Sequence, residues 1–386
     1  MKSSKVGAIL ATLFVAVMII AGVVCVDYYK ENVVQKSDEI AQEDTAPNDK
    51  KDAGNNTSED LDKTVNENEN DNAVSAVEKN SVIATEFSGQ LKVTGTNLTD
   101  QDGVPVVLRG VSSHGLSWYP EYVNDDSIKF MHENWGMNVF RLAMYTAENG
   151  GYCVSDTEKK KELISLVESG VDAAIANDMY VIVDWHILSD SNPNMYADQA
   201  ANFFDKMSEK YAEVPNVIYE ICNEPNGATN WEDIKEYADR IIPIIRMHSP
   251  EAVIIVGTPQ WSQNVDEAAA SPLKYDNVMY ALHFYAGTHK EWLRTTAKKA
   301  IKRGLPIFVS EFGITDASGN GVVDITEGGR WLEFMNENNL SACMWSLSNK
   351  NESSAIIAPD CEKASGWAYM DLKKQGQWML DEFMKE

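Results

Sequence analysis

From residue 85 onward, short apolar runs alternate with longer, helix-like stretches. The runs cover residues 107–111, 138–142, 180–184, 217–221, 253–256, 278–283, 307–310 and 341–345. Within a run the apolar residues are continuous rather than alternating, so both faces of the strand must be buried. That is the pattern of a parallel sheet covered by helices, an α/β fold. Eight βα units in ~300 residues have the size of a (β/α)8 TIM barrel, which is the fold expected here. An open doubly wound sheet is the alternative, although no Gly-rich phosphate loop follows the first run. Gln90-Leu91-Lys92-Val93 and Val106-Val107-Leu108-Arg109 read as a short N-terminal hairpin turned through Asp102-Gly103.

Upstream the pattern changes twice. Lys2 and Lys5 precede an uncharged apolar run over residues 6–26. Its length, ~20 residues, suits a transmembrane helix better than a signal-peptide core. The run ends Val24-Cys25-Val26-Asp27 without a small-x-small cleavage site. Lysines ahead of the run hold the N-terminus inside and send the rest outside. Residues 1–30 are therefore expected to be a membrane anchor, with a cleaved signal segment as the alternative. This places the protein on the extracellular face of the cell membrane, or secreted if the leader is cut. Residues 37–79 are mostly Asn, Asp, Glu, Lys, Thr and Ser. Such a stretch buries too little apolar surface to offset its ordering entropy, so residues 31–84 read as a disordered acidic linker. Residues 85–386 form the folded domain, expected to be a monomer.

The formal charge is −26, with 59 acidic against 33 basic residues, which disfavours nucleic acid as a partner. Cys25, Cys153, Cys222, Cys343 and Cys361 show neither a disulfide framework nor zinc-ligand spacing. A Cys153–Cys361 bridge stays open. Ten Trp and fifteen Tyr are many for this length. Aromatic rings stack on the apolar faces of sugars, and ordinary core packing is the competing explanation.

Two glutamates end apolar runs. Glu224 closes Val217-Ile218-Tyr219-Glu220-Ile221-Cys222-Asn223 and precedes Pro225; Glu311 follows Pro306-Ile307-Phe308-Val309-Ser310 and precedes Phe312-Gly313. A carboxylate at the C-terminal tip of a buried parallel strand has one low-dielectric wall and one open face, a setting for acid, base or nucleophile chemistry. Capping of the following helices is the plainer reading. The other strand ends decide between them, because each carries a polar or aromatic group. In order they are Ser112-Ser113-His114-Gly115-Leu116-Ser117-Trp118, Arg141-Leu142-Ala143-Met144-Tyr145, Asp184-Trp185-His186, His283-Phe284-Tyr285 and Trp345-Ser346-Leu347-Ser348.

This ordered set resembles the clan A glycoside hydrolases and, within them, family 5. The resemblance runs from Leu91 to the C-terminus. Arg109-Gly110-Val111-Ser112-Ser113-His114-Gly115-Leu116, Thr315-Asp316-Ala317-Ser318-Gly319 and Trp345-Ser346-Leu347-Ser348-Asn349-Lys350-Asn351-Glu352-Ser353 are similar to its bacterial endo-β-1,4-glucanase branch. The resemblance implies retaining hydrolysis of β-1,4-glucan with Glu224 as acid/base and Glu311 as nucleophile. It implies support from Arg141, Asn223, His186, His283 and Tyr285, and substrate contacts from His114, Trp118, Tyr145, Trp345, Lys350 and Glu352. Asn223 matches a residue that binds the sugar 2-hydroxyl, and Trp345 a platform under the ring at the cleavage site. Trp261, after the fifth strand, is placed either for a leaving-group subsite or for packing. Asp184 is expected to support the site from behind, and Trp135, Trp185, Trp292 and Trp331 to pack. His132, His248 and His289 receive no role. No cofactor or metal is required by this chemistry. A mannanase or mixed-linkage glucanase of the same fold is the nearest alternative, and a non-catalytic polysaccharide-binding surface protein the alternative of another class.

Overall fold

A computed structural model of the chain describes residues 87–385. A hairpin of β1 (Lys92–Thr94) and β2 (Asn97–Thr99) leads into eight strands, β3 (Arg109–Ser113), β4 (Val139–Tyr145), β5 (Tyr180–His186), β6 (Val217–Glu220), β7 (Ile254–Val256), β8 (Val278–Tyr285), β9 (Ile307–Gly313) and β10 (Ala342–Leu347). These eight close a barrel in the order β10-β3-β4-β5-β6-β7-β8-β9, each parallel to its neighbours. Closure excludes the doubly wound alternative. The helices between strands include α1 (Asp125–Trp135), α2 (Thr157–Ala176), α3 (Ala197–Lys210), α4 (Trp231–His248), α5 (Val265–Ala270), α6 (Glu291–Lys302) and α7 (Ile325–Glu337), with α8 (Lys374–Trp378) near the C-terminus.

Side-chain parity along each strand sorts residues between two environments. On β4, Phe140, Leu142 and Met144 join the large apolar core. Val139, Arg141, Ala143 and Tyr145 occupy the other parity. Val139 packs with Ile182, Ile218, Ile255, Phe308 and Cys343 in a separate small core that also holds Leu91, Leu98, Val106 and Leu108. Ala143 and Tyr145 join Trp345 in a third cluster. The second environment is the barrel interior, apolar at the N-terminal end where the hairpin residues plug it. It then becomes charged at the level of Arg141, Asp184 and Glu220, and aromatic at the mouth. The catalytic face of such a barrel is this C-terminal end.

Two sequence expectations are corrected, for the hairpin turn and for Trp292, and the open Cys153–Cys361 question is answered. The hairpin pairs Lys92 with Thr99 and Thr94 with Asn97, so it turns at Gly95 (φ +62°) rather than at Asp102-Gly103. Gly95 takes the left-handed conformation at no steric cost, and the Thr94 and Thr99 hydroxyls meet across the strands at 3.0 Å. Asp102-Gly103 forms a second turn, after which Pro105 bridges back to Thr99. Cys153 and Cys361 are both free thiols, as are Cys222 and Cys343. Trp292 is 53% exposed instead of packed, unlike the buried Trp135, Trp185 and Trp331.

The apolar span 6–26 and the acidic linker lie outside the described residues. Among the described residues no helix is long and apolar enough to cross a membrane.

Candidate active site

The strands reach further toward the mouth than the apolar runs indicate. β4 extends to Tyr145, β5 to His186, β8 to Tyr285 and β9 to Gly313, so Arg141, His186, His283, Tyr285 and Glu311 sit on strands, whereas β6 stops at Glu220 and Asn223 and Glu224 lie on the segment that follows it. The pairing of β8 with β9 slips between Ala281 and His283, and that of β10 with β3 between Trp345 and Leu347. Irregularities of this kind re-aim side chains at functional barrel rims. Here they bring His283 level with Glu311.

Arg141 organises the floor. It is fully buried and donates from Nε to Glu220 (2.7 Å) and from Nη1 to Glu311 Oε2 (3.1 Å) and Ser112 Oγ (3.2 Å). Its Nη2 donates to Asn223 Oδ1 (2.7 Å) and lies 3.0 Å from Asp184. Burial disfavours the guanidinium charge, but the carboxylates of Asp184, Glu220 and Glu311 outweigh it and raise its pKa well above the ordinary arginine value. The second oxygen of Glu311 accepts from the Tyr285 hydroxyl at 2.8 Å. Both lone-pair faces of this carboxylate are thereby oriented. Burial and the Glu311 and Glu224 charges push the Tyr285 phenol well above its usual range, so it stays a donor.

Glu224 stands on the other side, with its Oε1 3.0 Å from His283 Nδ1. His283 Nε2 lies 2.9 Å from Ser310 Oγ, which in turn donates to Glu220 Oε1 at 2.7 Å. Burial alone would depress the His283 pKa; hydrogen bonding toward Glu220 and Glu224 and the charges of Glu311 and Glu224 reverse that and raise it to about 9. Glu220 is pulled the other way. Burial raises its pKa, but Arg141 and His283 bring it down to about 2. Suitable atoms of Glu224, His283 and Glu311 all lie within 4.8 Å of one another. Of the His, Cys, Asp and Glu clusters among the described residues, this is the one close enough to hold an ion. Each Glu311 oxygen accepts one hydrogen bond, from Arg141 or from Tyr285, and keeps a further lone pair. Carboxylate oxygens no more than 4.8 Å apart fit the close pair of retaining glycoside chemistry; inverting enzymes keep the groups roughly 6.5–9.5 Å apart.

His186 donates from Nδ1 to Asp184 (2.6 Å), while its Nε2 receives Asn223 Nδ2–H at 3.2 Å. Burial and the Arg141 charge lower its pKa to about 3, so the ring is neutral. Asp184 thus supports both His186 and Arg141. Above them lies an aromatic floor. Trp345 stacks against His186 with centroids 5.3 Å apart, Tyr145 meets His186 at 4.1 Å and Trp118 at 4.7 Å, and His114 meets Trp345 at 5.1 Å. Beyond His114, the Lys350 ammonium pairs with Glu352 at 2.7 Å and reaches His114 Nε2 at 3.4 Å. Burial, then Lys350 and His186, lower the His114 pKa to about 3. Trp261 is apart from this cluster and 41% exposed, on a turn whose Gln260, Trp261 and Ser262 all have φ near +55°. That turn is tied to the Glu224 segment by Trp261 N–H to Pro225 O (3.0 Å) and Ser262 Oγ to Asn223 O (2.7 Å).

Glu220, Ser310 and Ser112 carry no role on the sequence alone. A charged residue inside an apolar strand, at the interior parity with Ile218, was the available signal for Glu220. His289, given no role, accepts the Tyr285 backbone N–H at 2.8 Å through Nδ1.

Residues 99–351 match the family model described as Cellulase (glycosyl hydrolase family 5). The chain belongs to glycosyl hydrolase family 5. Among relatives of this family 5 domain, endoglucanase A of Butyrivibrio fibrisolvens is 47% identical over 297 residues, covering 77% of this chain and 69% of that one. An endoglucanase of Clostridium saccharobutylicum is 50% identical over 299 residues, covering 77% and 66%. The chain thus spans about two thirds of the length of these relatives. Among solved structures, the cellulase Cel5C_n superposes with a TM-score of 0.75 at 43% identity, over 77% of this chain and 93% of that one. The catalytic domain of Thermobifida fusca endoglucanase Cel5A, solved as a variant with cellotetraose, gives a TM-score of 0.73 at 35% identity over 77% and 98%.

Proposed function

We propose that this family 5 domain cleaves internal β-1,4-glucosidic bonds of cellulose and related β-glucans with retention of configuration. The observation that carries the reading is the pair of carboxylates within 4.8 Å in unlike surroundings. Glu311, clamped through both oxygens, is the nucleophile on the anomeric carbon. Glu224, partly open to the cleft with its side chain 12% exposed, gives its proton to the departing oxygen and later takes one from water. His283 supplies a positive donor that steadies Glu224 once its proton has gone. Asn223 is held by Arg141 beside the reacting ring, and Trp345 forms the surface on which that ring lies. The named relatives, endoglucanases and a cellulase, support glucan as the substrate. The test is reducing-sugar release by the full chain from carboxymethylcellulose, mixed-linkage glucan, mannan and xylan, with viscosity followed in parallel. A fast fall in viscosity on the cellulose derivative and a retained anomer by NMR are expected. Exclusive turnover of mannan would reassign the substrate, and none on any polysaccharide would leave a binding protein.

The same reading places the domain outside the cell as a monomer, tethered by residues 6–26 through the acidic segment. The lysines ahead of an uncharged run of membrane-spanning length support it. Activity should fractionate with membranes and become soluble on deleting residues 1–30; mature protein beginning near Asp27 would sink the anchor.

A further inference from the structure

Gln375 lies on α8, outside the strand ends, and its side chain is fully buried. Its amide has two donors and an acceptor, and the structure uses all three on backbone. Nε2 donates to Trp345 O at 2.6 Å and to Ser354 O at 2.7 Å, and Oε1 accepts from Ile314 N at 2.9 Å. Those three partners belong to different parts of the cleft. Trp345 carries the indole at the floor of the active site. Ile314 follows the end of β9, three residues past Glu311. Ser354 closes the loop bearing Lys350 and Glu352, and its hydroxyl donates to Glu352 Oε1 at 3.2 Å.

The base from which Gln375 reaches is itself fixed. A Cβ added at Gly376 would meet Ile356 O at 2.6 Å, so α8 lies directly on the segment after Ser354. Lys373 N–H donates to Ile356 O at 2.9 Å, and Ile357 bridges Leu372. A short helix held this way presents one amide to Trp345 near the end of β10, to the residue that follows β9 and to the loop closed by Ser354, just beyond Met344–Phe312, where the pairing of β10 with β9 stops. The geometry points to Gln375 as a positioning residue that sets the Trp345 platform against the Glu311 strand end and the Lys350–Glu352 wall. A buried amide with both N–H donors and its oxygen engaged gives three directional constraints, and an apolar side chain of the same length gives none.

The kinetic part of this inference rests on the proposed glucan hydrolysis; the structural part does not. Gln375→Met keeps length and volume while removing the three hydrogen bonds. On 2,4-dinitrophenyl β-cellobioside, with both enzymes well below their Tm, kcat/KM should fall by about 10-fold or more, mainly in kcat. In a Trp345→Ala background the same change should cost less than about threefold, because the platform it positions is gone. Full multiplication of the two losses, or a Gln375→Met enzyme within about twofold of wild type, would overturn the inference. Labelling with 5-fluorotryptophan gives a readout that needs no turnover. The Trp345 ¹⁹F resonance, assigned by Trp345→Phe, should shift in Gln375→Met, and an unmoved resonance refutes the role. If Gln375→Met does not fold, Gln375→Glu decides. Its carboxylate would face two carbonyl oxygens, so the variant-to-wild-type ratio of kcat/KM should rise as pH falls and the acid regains a donor. A ratio flat with pH counts against it.

Discussion

Replacing Arg141 by lysine keeps the buried positive charge and removes the fork. The guanidinium engages five groups: Glu220, Glu311, Ser112, Asn223 and Asp184. An ammonium has three donors at one point, so at least two of these contacts must lapse. A hydrogen bond to a charged group contributes about 1.5–3 kcal/mol, which puts the total loss at roughly 3–6 kcal/mol. Part of that falls on folding, because Asp184 and Glu220 are fully buried and lose solvation without compensation. The part that reaches the reaction comes from Glu311 and Asn223, whose placement Arg141 fixes directly. If about half the loss appears in the transition state, kcat/KM should fall by one to two decades at about 1.4 kcal/mol per decade. The assay is burst and steady-state kinetics on 2,4-dinitrophenyl β-cellobioside, where the leaving group needs no acid and glycosylation reports on Glu311 alone. Differential scanning calorimetry on the same preparation measures the folding share. An Arg141→Lys enzyme with a lowered Tm but kcat/KM within about threefold of wild type would refute the claim that Arg141 orients the nucleophile.

Glu311→Ala should abolish turnover, and azide should restore it with formation of the inverted glycosyl azide; Glu224→Ala should spare the first step on activated substrates, and near-normal cellulose hydrolysis by both would show the roles to be misassigned. Trp345→Ala should lower kcat as well as kcat/KM by about one to two decades, whereas Trp118→Ala, whose ring is 37% exposed, should chiefly weaken binding of short oligosaccharides. A Trp345→Ala protein that is less stable yet fully active would refute the platform. Stability should depend on pH on both sides. His283, raised to about 9, adds stability that is complete below pH ~6.5 and fades as pH climbs through about 9, so Tm should decline there and His283→Gln should flatten the decline. His186 and His114, lowered to about 3, are neutral in the fold while the unfolded chain takes up protons below pH ~6.5; stability should therefore fall from there toward about 3, and an unchanged acid limb in His186→Gln would contradict the assignment for His186.

Continuous apolar runs with polar tips were enough to read the barrel, because a parallel strand buried on both faces can be written in few other ways. The same runs singled out Glu224 and Glu311 as candidates, and the residues at the other strand ends weighed against the capping reading; β6 itself stops at Glu220, four residues before Glu224. The roles of Asn223, Arg141 and Tyr285 came from the resemblance to family 5 and not from the runs themselves. Pairings between segments distant in sequence were not readable. Glu220 carried no role within the run from Val217 to Ile221; closure of the sheet turns its side chain inward onto Arg141 and Ser310. The hairpin turn moved to Gly95 because two turn signals lay close together and cross-strand contacts chose between them. Trp292 resembled the packed tryptophans in composition alone; its place on α6 leaves it in solvent. Gln375, one residue of a polar stretch, became a clamp on Trp345 only when the tertiary fold brought α8 against the end of β10. Local pattern determines which side chains a strand buries, because pleat and helix periodicity act over a few residues. Which buried groups then share a proton, a charge or a hydrogen bond is decided by barrel closure and strand register, which join residues 79 (Arg141 and Glu220) or 170 (Arg141 and Glu311) positions apart.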